Sequence, residues 1–321
     1  MPDPQKHDSA VAFCVDRNYY PFAMFMIWQI AHHNPRRKFD FVVVSRDDLV
    51  VPDWALPLGI VLHRAGDLPE AADAARQLPK MARFRGSMNP LDRIMLARDL
   101  GDRYRRILSL DCDMFVDGGD FNRLLAMDIG AHPIGAVLDA PFLYERNHHA
   151  KEYQLAGFQP APYANSGLQV IDTKAYREQE VARRSLEVFK THPDAIFYTD
   201  QSLINLALRG KFAQLAPCWN WQNSIRLPLV TQTYPVFLRH FIGSRKPDRT
   251  SNRTLEPRFN LAYREFLTQF FPEILPKLAP PPPAAPLTPR ELFITVIEHV
   301  LARTHASALL ARYPDPYVAL I

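Results

Sequence analysis

Two aspartates one residue apart, Asp111 and Asp113, follow the run Arg106-Ile107-Leu108-Ser109-Leu110. Ile107, Leu108 and Leu110 read as a short buried strand, so the pair emerges at its C-terminal end. Side chains two apart on an extended chain share a face, and in an open α/β sheet ligands gather at that edge. Paired carboxylates suit a hard divalent cation, Mg²⁺ or Mn²⁺, that bridges the protein to a phosphorylated substrate. Asp is also common in turns after strands, so the pair alone reads more readily as loop-capping residues.

Further positions could complete such a site. Asp16, Asn18 and Tyr19 end the strand-like run Val11 to Val15, where hydrogen bonds and a ring could hold a nucleotide base, or where Asp16 could simply cap the next helix. Arg93 precedes the acidic pair on a helical segment and could bind phosphate or ribose oxygens. His240 follows Val236-Phe237-Leu238, and an imidazole is a competent third ligand to Mn²⁺. Gly243 would let backbone approach a phosphate and Lys246 would neutralise its charge. Asn165-Ser166-Gly167 and Asp200 read either as a turn and a helix cap or as part of a sugar-holding pocket. The pairs His32-His33 and His148-His149 are assigned outside the site.

Placing these residues together requires alternating elements. Strands are predicted at 11–15, 39–44, 60–62, 107–110, 135–138 and 168–171. A helix starts at Pro21 with Phe22, Phe25, Met26 and Ile30 at helical spacing, and others cover 91–100 and 200–209. This alternation implies crossover units and a largely parallel sheet. Beyond Leu278 a proline-rich stretch reads as a stiff linker, and Thr288-Pro289-Arg290-Glu291 has capping-box spacing. Leu292, Phe293, Val296, Ile297, Val300 and Leu301 then form an apolar stripe expected to pack on the parent domain, with a membrane or partner contact as the rival. The expected division is a domain over 1–275, a linker over 276–288, and a C-terminal amphipathic helix and tail over 289–321.

Composition bounds the function. The 321 residues are 47% hydrophobic and 22% charged, which excludes a disordered chain. A net charge of +4, scattered rather than blocked, gives little support to nucleic-acid binding. Cys14, Cys112 and Cys218 lie far apart without metal-ligand spacing, which fits a reducing compartment. The polar N-terminus lacks the apolar core of a secretory signal, and Tyr19 to Ala31 is too short an apolar stretch to span a bilayer. The expectation is a cytoplasmic protein, with a possible C-terminal contact to the inner face of the membrane.

The order of these motifs resembles glycosyltransferase family eight. The likeness rests on Asp16-Arg17-Asn18-Tyr19, Arg93, Leu110-Asp111-Cys112-Asp113, Tyr163-Ala164-Asn165-Ser166-Gly167-Leu168, Asp200-Gln201, and the run from His240 through Gly243 to Lys246-Pro247. It implies an α/β fold of GT-A type, a Rossmann-like nucleotide-diphospho-sugar transferase with a mixed, mainly parallel central sheet. It also implies retaining transfer of a hexose from a UDP-sugar to an acceptor hydroxyl. Asp111, Asp113 and His240 would hold Mn²⁺ or Mg²⁺. Asp16, Asn18, Tyr19, Arg93, Asp111, Cys112, Asn165, Gly243 and Lys246 would bind the donor. Asp139, Asn165 and Asp200 would face the sugar or acceptor, and Gln201 would sit, with Asp200, at the catalytic position of a weakly nucleophilic amide. The family often carries Trp after Lys-Pro, where this chain has Asp248. Two rivals remain: a haloacid-dehalogenase-like phosphatase using the same Asp-x-Asp, and a non-catalytic sugar-nucleotide binder on the same fold.

Overall fold

The strand predicted before Asp111 lies at the middle of a seven-stranded sheet. The computed structural model describes residues 7–67, 87–145, 147–222, 230–232, 234–243, 246, 256–278 and 288–321. The strands are β1 (Ser9–Cys14), β2 (Asp40–Ser45), β3 (Val61–Arg64), β4 (Arg106–Leu110), β5 (Met114–Val116), β6 (Ile134–Leu138), β7 (Ala164–Asp172), β8 (Ala213–Gln214) and β9 (Leu238–His240). The helices are α1 (Tyr20–His33), α2 (Asn89–Leu100), α3 (Phe121–Leu125), α4 (Lys151–Leu155), α5 (Thr173–Glu178), α6 (Val181–Thr191), α7 (Thr199–Leu208), α8 (Pro257–Phe270) and α9 (Pro289–Leu310).

The sheet order is β3-β2-β1-β4-β7-β6-β8. The first four strands run parallel, β7 is antiparallel to both β4 and β6, and β8 is parallel to β6. The sheet is therefore mixed and mostly parallel, as expected. Strands β1, β2 and β4 are buried along their whole length, which explains why they read as near-continuous apolar runs. From β1 the chain crosses through α1 to β2 on one side, and from β3 it returns through α2 to β4 on the other. Right-handed crossovers place α1 and α2 on opposite faces, so the strand order reverses between β1 and β4. Asp16 and Asp111 follow those two strands.

A second, two-stranded ribbon brings the distant histidine to the acidic pair. β5 pairs antiparallel with β9 so that Met114 is opposite His240, and the Phe241 amide donates to the Asp113 carbonyl at 3.1 Å. The ribbon is pinned to α8. Asp117 accepts hydrogen bonds from Arg239 and from Arg258 Nη1, the latter at 2.6 Å, and Tyr263 Oη donates to the Met114 carbonyl at 2.7 Å.

The apolar stripe of α9 does not pack on the parent domain. Leu292, Phe293, Val296, Ile297, Val300 and Leu301 are 40–77% exposed. The helix docks instead through its C-terminal half, where Ala306, Leu309 and Leu310 are buried and His305 Nε2 lies 2.9 Å from the Phe142 carbonyl. Beyond it, Leu320 exchanges two backbone hydrogen bonds with Gln214, at 2.8 and 2.9 Å, on the sheet edge at β8. None of the described helices is long and apolar enough to cross a membrane. Most of the proline-rich linker (279–287), Pro247 with Asp248, and residues 1–6 lie outside the described residues.

Candidate active site

Leu110 ends β4, and the Asp111 amide, donating to the Gly167 carbonyl at 2.9 Å, still follows the β7 ladder before the chain turns away. Asp111 and Asp113 consequently face the last residue of β9. His240 Nε2 lies 3.4 Å from Asp111 Oδ2 and 3.3 Å from Asp113 Oδ1. Among the described residues these three side chains form a group able to hold a metal ion, with ligand atoms all within 4.8 Å of one another.

The outer oxygen of each carboxylate is already taken. Arg93 Nη2 donates to Asp111 Oδ1, and Lys246 Nζ donates to Asp113 Oδ2. The inner oxygens are left facing the imidazole, and Asp113 Oδ1 is buried with no hydrogen-bond partner. A buried orphan acceptor is costly, and two carboxylate oxygens with one imidazole nitrogen are the donor set of a Mn²⁺-type ion. The residues therefore fit a divalent cation.

Electrostatics support the same arrangement. Burial pushes the Asp111 pKa up, but the Arg93 guanidinium and then His240 outweigh it and hold the carboxylate below its usual range. Burial pushes the His240 pKa down despite Asp111, which favours the neutral, ligating imidazole. Arg93 resists its own burial because Asp111 and Asp200 hold it charged. Asp200 is raised by burial, with Asp111 adding to the effect and Arg93 opposing it. Burial and the neighbouring Asp111 push the Cys112 thiol up to about 12, so this half-buried side chain stays protonated beside the pair.

Arg93 is buried, 9% exposed. Its Nη1 also donates to Asp200 Oδ2 at 2.9 Å and to the Ser166 carbonyl at 3.3 Å, joining α2, β4, β7 and α7. Asp200 Oδ2 is held by this contact while the carboxyl also accepts from the Ser166 hydroxyl, and α7 has no side-chain cap. One residue on, Gln201 Oε1 accepts from Asn165 Nδ2 at 3.1 Å and from the Ser166 amide at 3.2 Å. Asn165 Nδ2 also donates to Asp139 Oδ1 at 2.9 Å, so Asp139, Asn165 and Gln201 form one connected cluster beside the acidic pair. Burial raises the Asp139 pKa, against the opposing effect of Asn165.

The remaining predicted residues sit less tightly. Asp16 accepts from the amides of Asn18 at 2.9 Å and Tyr19 at 3.1 Å, an Asx-type turn that starts α1. Extending the β1–β4 register past Ala12↔Ser109 brings this turn to the sheet edge that carries Asp111. Asn18 is exposed and Tyr19 half-buried there. Gly243 is exposed with a left-handed φ of 71°, a conformation that favours glycine. His148 is engaged with Glu145 and His149 with the Phe158 carbonyl.

Asn220 and Gln222 were not foreseen. Asn220 bridges His240 Nδ1, at 3.0 Å, and Asn165 Oδ1, at 2.9 Å. Gln222 Oε1 accepts from the Ala140 amide at 2.9 Å and its Nε2 donates to the Leu138 carbonyl at 3.1 Å, gripping the backbone on both sides of Asp139. The available signal was the alternation Trp219-Asn220-Trp221-Gln222, in which both tryptophans are fully buried in the core.

Solved glycosyltransferases share this architecture. The galactosyltransferase LgtC, crystallised with donor and acceptor sugar analogs, matches with a TM-score of 0.64 at 19% identity, over 84% of this chain and 100% of LgtC. The glycosyltransferase GlyE of Streptococcus pneumoniae TIGR4 matches with a TM-score of 0.55 at 16% identity, over 87% of this chain and 66% of GlyE. The fold is therefore that of the GT-A glycosyltransferases. The sequence model of Glycosyl transferase family 8 matches residues 77–250, more than half of the 321, and the chain belongs to that family. Among curated relatives, the lipopolysaccharide 1,2-glucosyltransferase of Escherichia coli (strain K12) is 24% identical over 254 residues, 74% of this chain and 72% of that protein. General stress protein A of Bacillus subtilis (strain 168) is 28% identical over 158 residues, 44% of this chain and 52% of that protein. The match thus spans about half the length of the latter relative.

Proposed function

We propose that the chain transfers a hexose from a UDP-sugar to an acceptor hydroxyl, with retention at the anomeric carbon and in dependence on Mn²⁺ or Mg²⁺. The observation that carries this reading is the convergence of two inner carboxylate oxygens and an imidazole nitrogen beside the Asp139–Asn165–Gln201 cluster. Asp111, Asp113 and His240 would hold the cation, which when bound supplies charge neutralisation to the departing diphosphate. Lys246, beside Asp113, adds a second positive group on that side. Arg93 fixes Asp111 and Asp200 in place and thereby sets the wall between the cation and the sugar. The base and ribose would lie along the Asp16–Tyr19 turn and beside Cys112, with Gly243 admitting the phosphates to backbone.

The bond from the anomeric carbon to the phosphate oxygen breaks, the bond to the acceptor oxygen forms, and the acceptor proton passes to the departing phosphate. Retention through a covalent intermediate calls for a nucleophile close to the reacting carbon, usually a carboxylate. Asp200 is committed to Arg93 and the Gln201 amide oxygen accepts two hydrogen bonds, so we favour attack on the same face without such an intermediate. Asp139, Asn165 and Asp200 then position the sugar and the acceptor. We further propose a surface glycan or lipopolysaccharide acceptor reached at the cytoplasmic side of a membrane, where the exposed apolar residues of α9 would rest. Family membership leaves the phosphatase alternative without support.

The test is a panel of UDP-hexoses with and without Mn²⁺, followed by thermal shift and by mass spectrometry of the sugar released or transferred. One UDP-hexose is expected to raise the melting temperature only with Mn²⁺ and to yield UDP. Binding without any turnover would favour the non-catalytic reading, and neither binding nor turnover would refute the assignment.

A further inference from the structure

An unambiguous backbone donor fixes the orientation of an entire chain of amides in this site. The Gly167 amide donates to Asn165 Oδ1 at 3.1 Å, so that end of the side chain is the oxygen. The other end, Nδ2, faces Asp139 Oδ1 and Gln201 Oε1, both acceptors. The Asn220 atom 2.9 Å from Asn165 Oδ1 must then be its NH₂ group, which turns Asn220 Oδ1 toward His240 Nδ1 at 3.0 Å. An amide oxygen can only accept, so Nδ1 carries a proton, and the neutral ring then keeps its Nε2 lone pair toward Asp111 and Asp113.

Asn220 is well placed to enforce this. It is 1% exposed, lies between two fully buried tryptophans, and its segment is tied to β9 by hydrogen bonds from the Trp221 amide to the Leu238 carbonyl and from the His240 amide to the Trp221 carbonyl. We propose that Asn220 is a positioning residue that selects the His240 tautomer able to ligate a cation and couples the cation site to the sugar-facing Asn165. This rests on the metal-dependent reading given above. Ligating histidines generally have such a partner on the second nitrogen, and its loss costs about 10–100-fold in metal affinity.

The tests are ¹⁵N NMR of His240 in the metal-free protein and Mn²⁺ titration of wild type, N220L and N220D. Wild-type His240 is expected to be protonated on Nδ1. N220L is expected to bind Mn²⁺ about 10–100-fold more weakly. N220D keeps an oxygen for Nδ1 and loses the NH₂ group, so it should bind Mn²⁺, and UDP in Mn²⁺, close to wild type while losing the added affinity of a UDP-hexose over UDP. A wild-type ring protonated on Nε2 and not on Nδ1, or N220L that folds and binds Mn²⁺ as wild type does, overturns the proposal. So does N220D that loses Mn²⁺ as severely as N220L. A wild type that binds no Mn²⁺ overturns the metal-dependent reading itself, and this coupling with it. If neither variant folds, the wild-type tautomer alone decides.

Discussion

Gly167→Ala should disable the site by displacing one ring. A Cβ at position 167 would lie 2.4 Å from His240 Cε1, 2.7 Å from Nδ1 and 3.0 Å from Asn165 Oδ1. Ordinary contact begins near 3.4 Å, so the ring has to retreat by about 1 Å. It is not a flexible chain end, because His240 is 6% exposed, ends β9 and is tied to Asn220. A displacement of about 1 Å at a reacting constellation costs on the order of 100-fold in rate. Overpacking of this kind costs about 1–3 kcal/mol. With an unfolding entropy of roughly 0.7 kcal/mol/K for a chain of this length, that lowers the melting temperature by about 1.5–4.5 °C. The assay is Mn²⁺ titration followed by electron paramagnetic resonance, together with UDP-hexose hydrolysis and circular dichroism. Expected are a native spectrum, Mn²⁺ binding weakened about tenfold or more, and hydrolysis reduced on the order of 100-fold. Affinity and rate both within about twofold of wild type would refute the steric argument.

Arg93→Met leaves Asp111 and Asp200, 26% and 14% exposed, facing each other without their cation. A loss of about 3 kcal/mol is expected, the low end for a broken buried pair because Asp111 reaches solvent. Differential scanning calorimetry should show a melting temperature lower by about 4–5 °C, partly restored by Arg93→Met/Asp200→Asn; an unchanged value would contradict the pairing. Asp139 has a pKa raised by burial, so its ionisation is less favourable in the folded than in the unfolded chain. Stability is then lost as pH rises above the ordinary carboxylate value through the folded one. Asp139→Asn should melt higher than wild type at neutral pH, with the difference vanishing as pH falls to the ordinary value of 3.8. A difference of opposite sign, or one independent of pH, would show that burial does not dominate there.

Strands buried on both faces carry their signal in every residue, which is why β1, β2 and β4, with the acidic pair at the exit of β4, were readable from composition and run length alone. His240 was legible as an imidazole after an apolar run. What placed it opposite Met114 is the β5–β9 ribbon, a non-local pairing of three-residue strands with no turn chemistry to announce it. Asn220 and Gln222 were missed because amides carry no fixed spacing. Asn220 acts on the side chains of His240 and Asn165 and Gln222 on the backbone around Asp139, partners distant in sequence, and only the alternation with Trp219 and Trp221 marks them. The α9 stripe failed for a different reason. Helical periodicity reports that one face is apolar and says nothing about what covers it, and here the burial falls one to two turns later, on Ala306, Leu309 and Leu310.

The proposed cation site is tested most directly by anomalous diffraction from crystals grown with Mn²⁺ and UDP. A single strong peak is expected where Asp111 Oδ2, Asp113 Oδ1 and His240 Nε2 meet, at roughly 2.0–2.4 Å from each. Saturating Mn²⁺ with no peak among these three groups, or a peak that excludes His240, would contradict it.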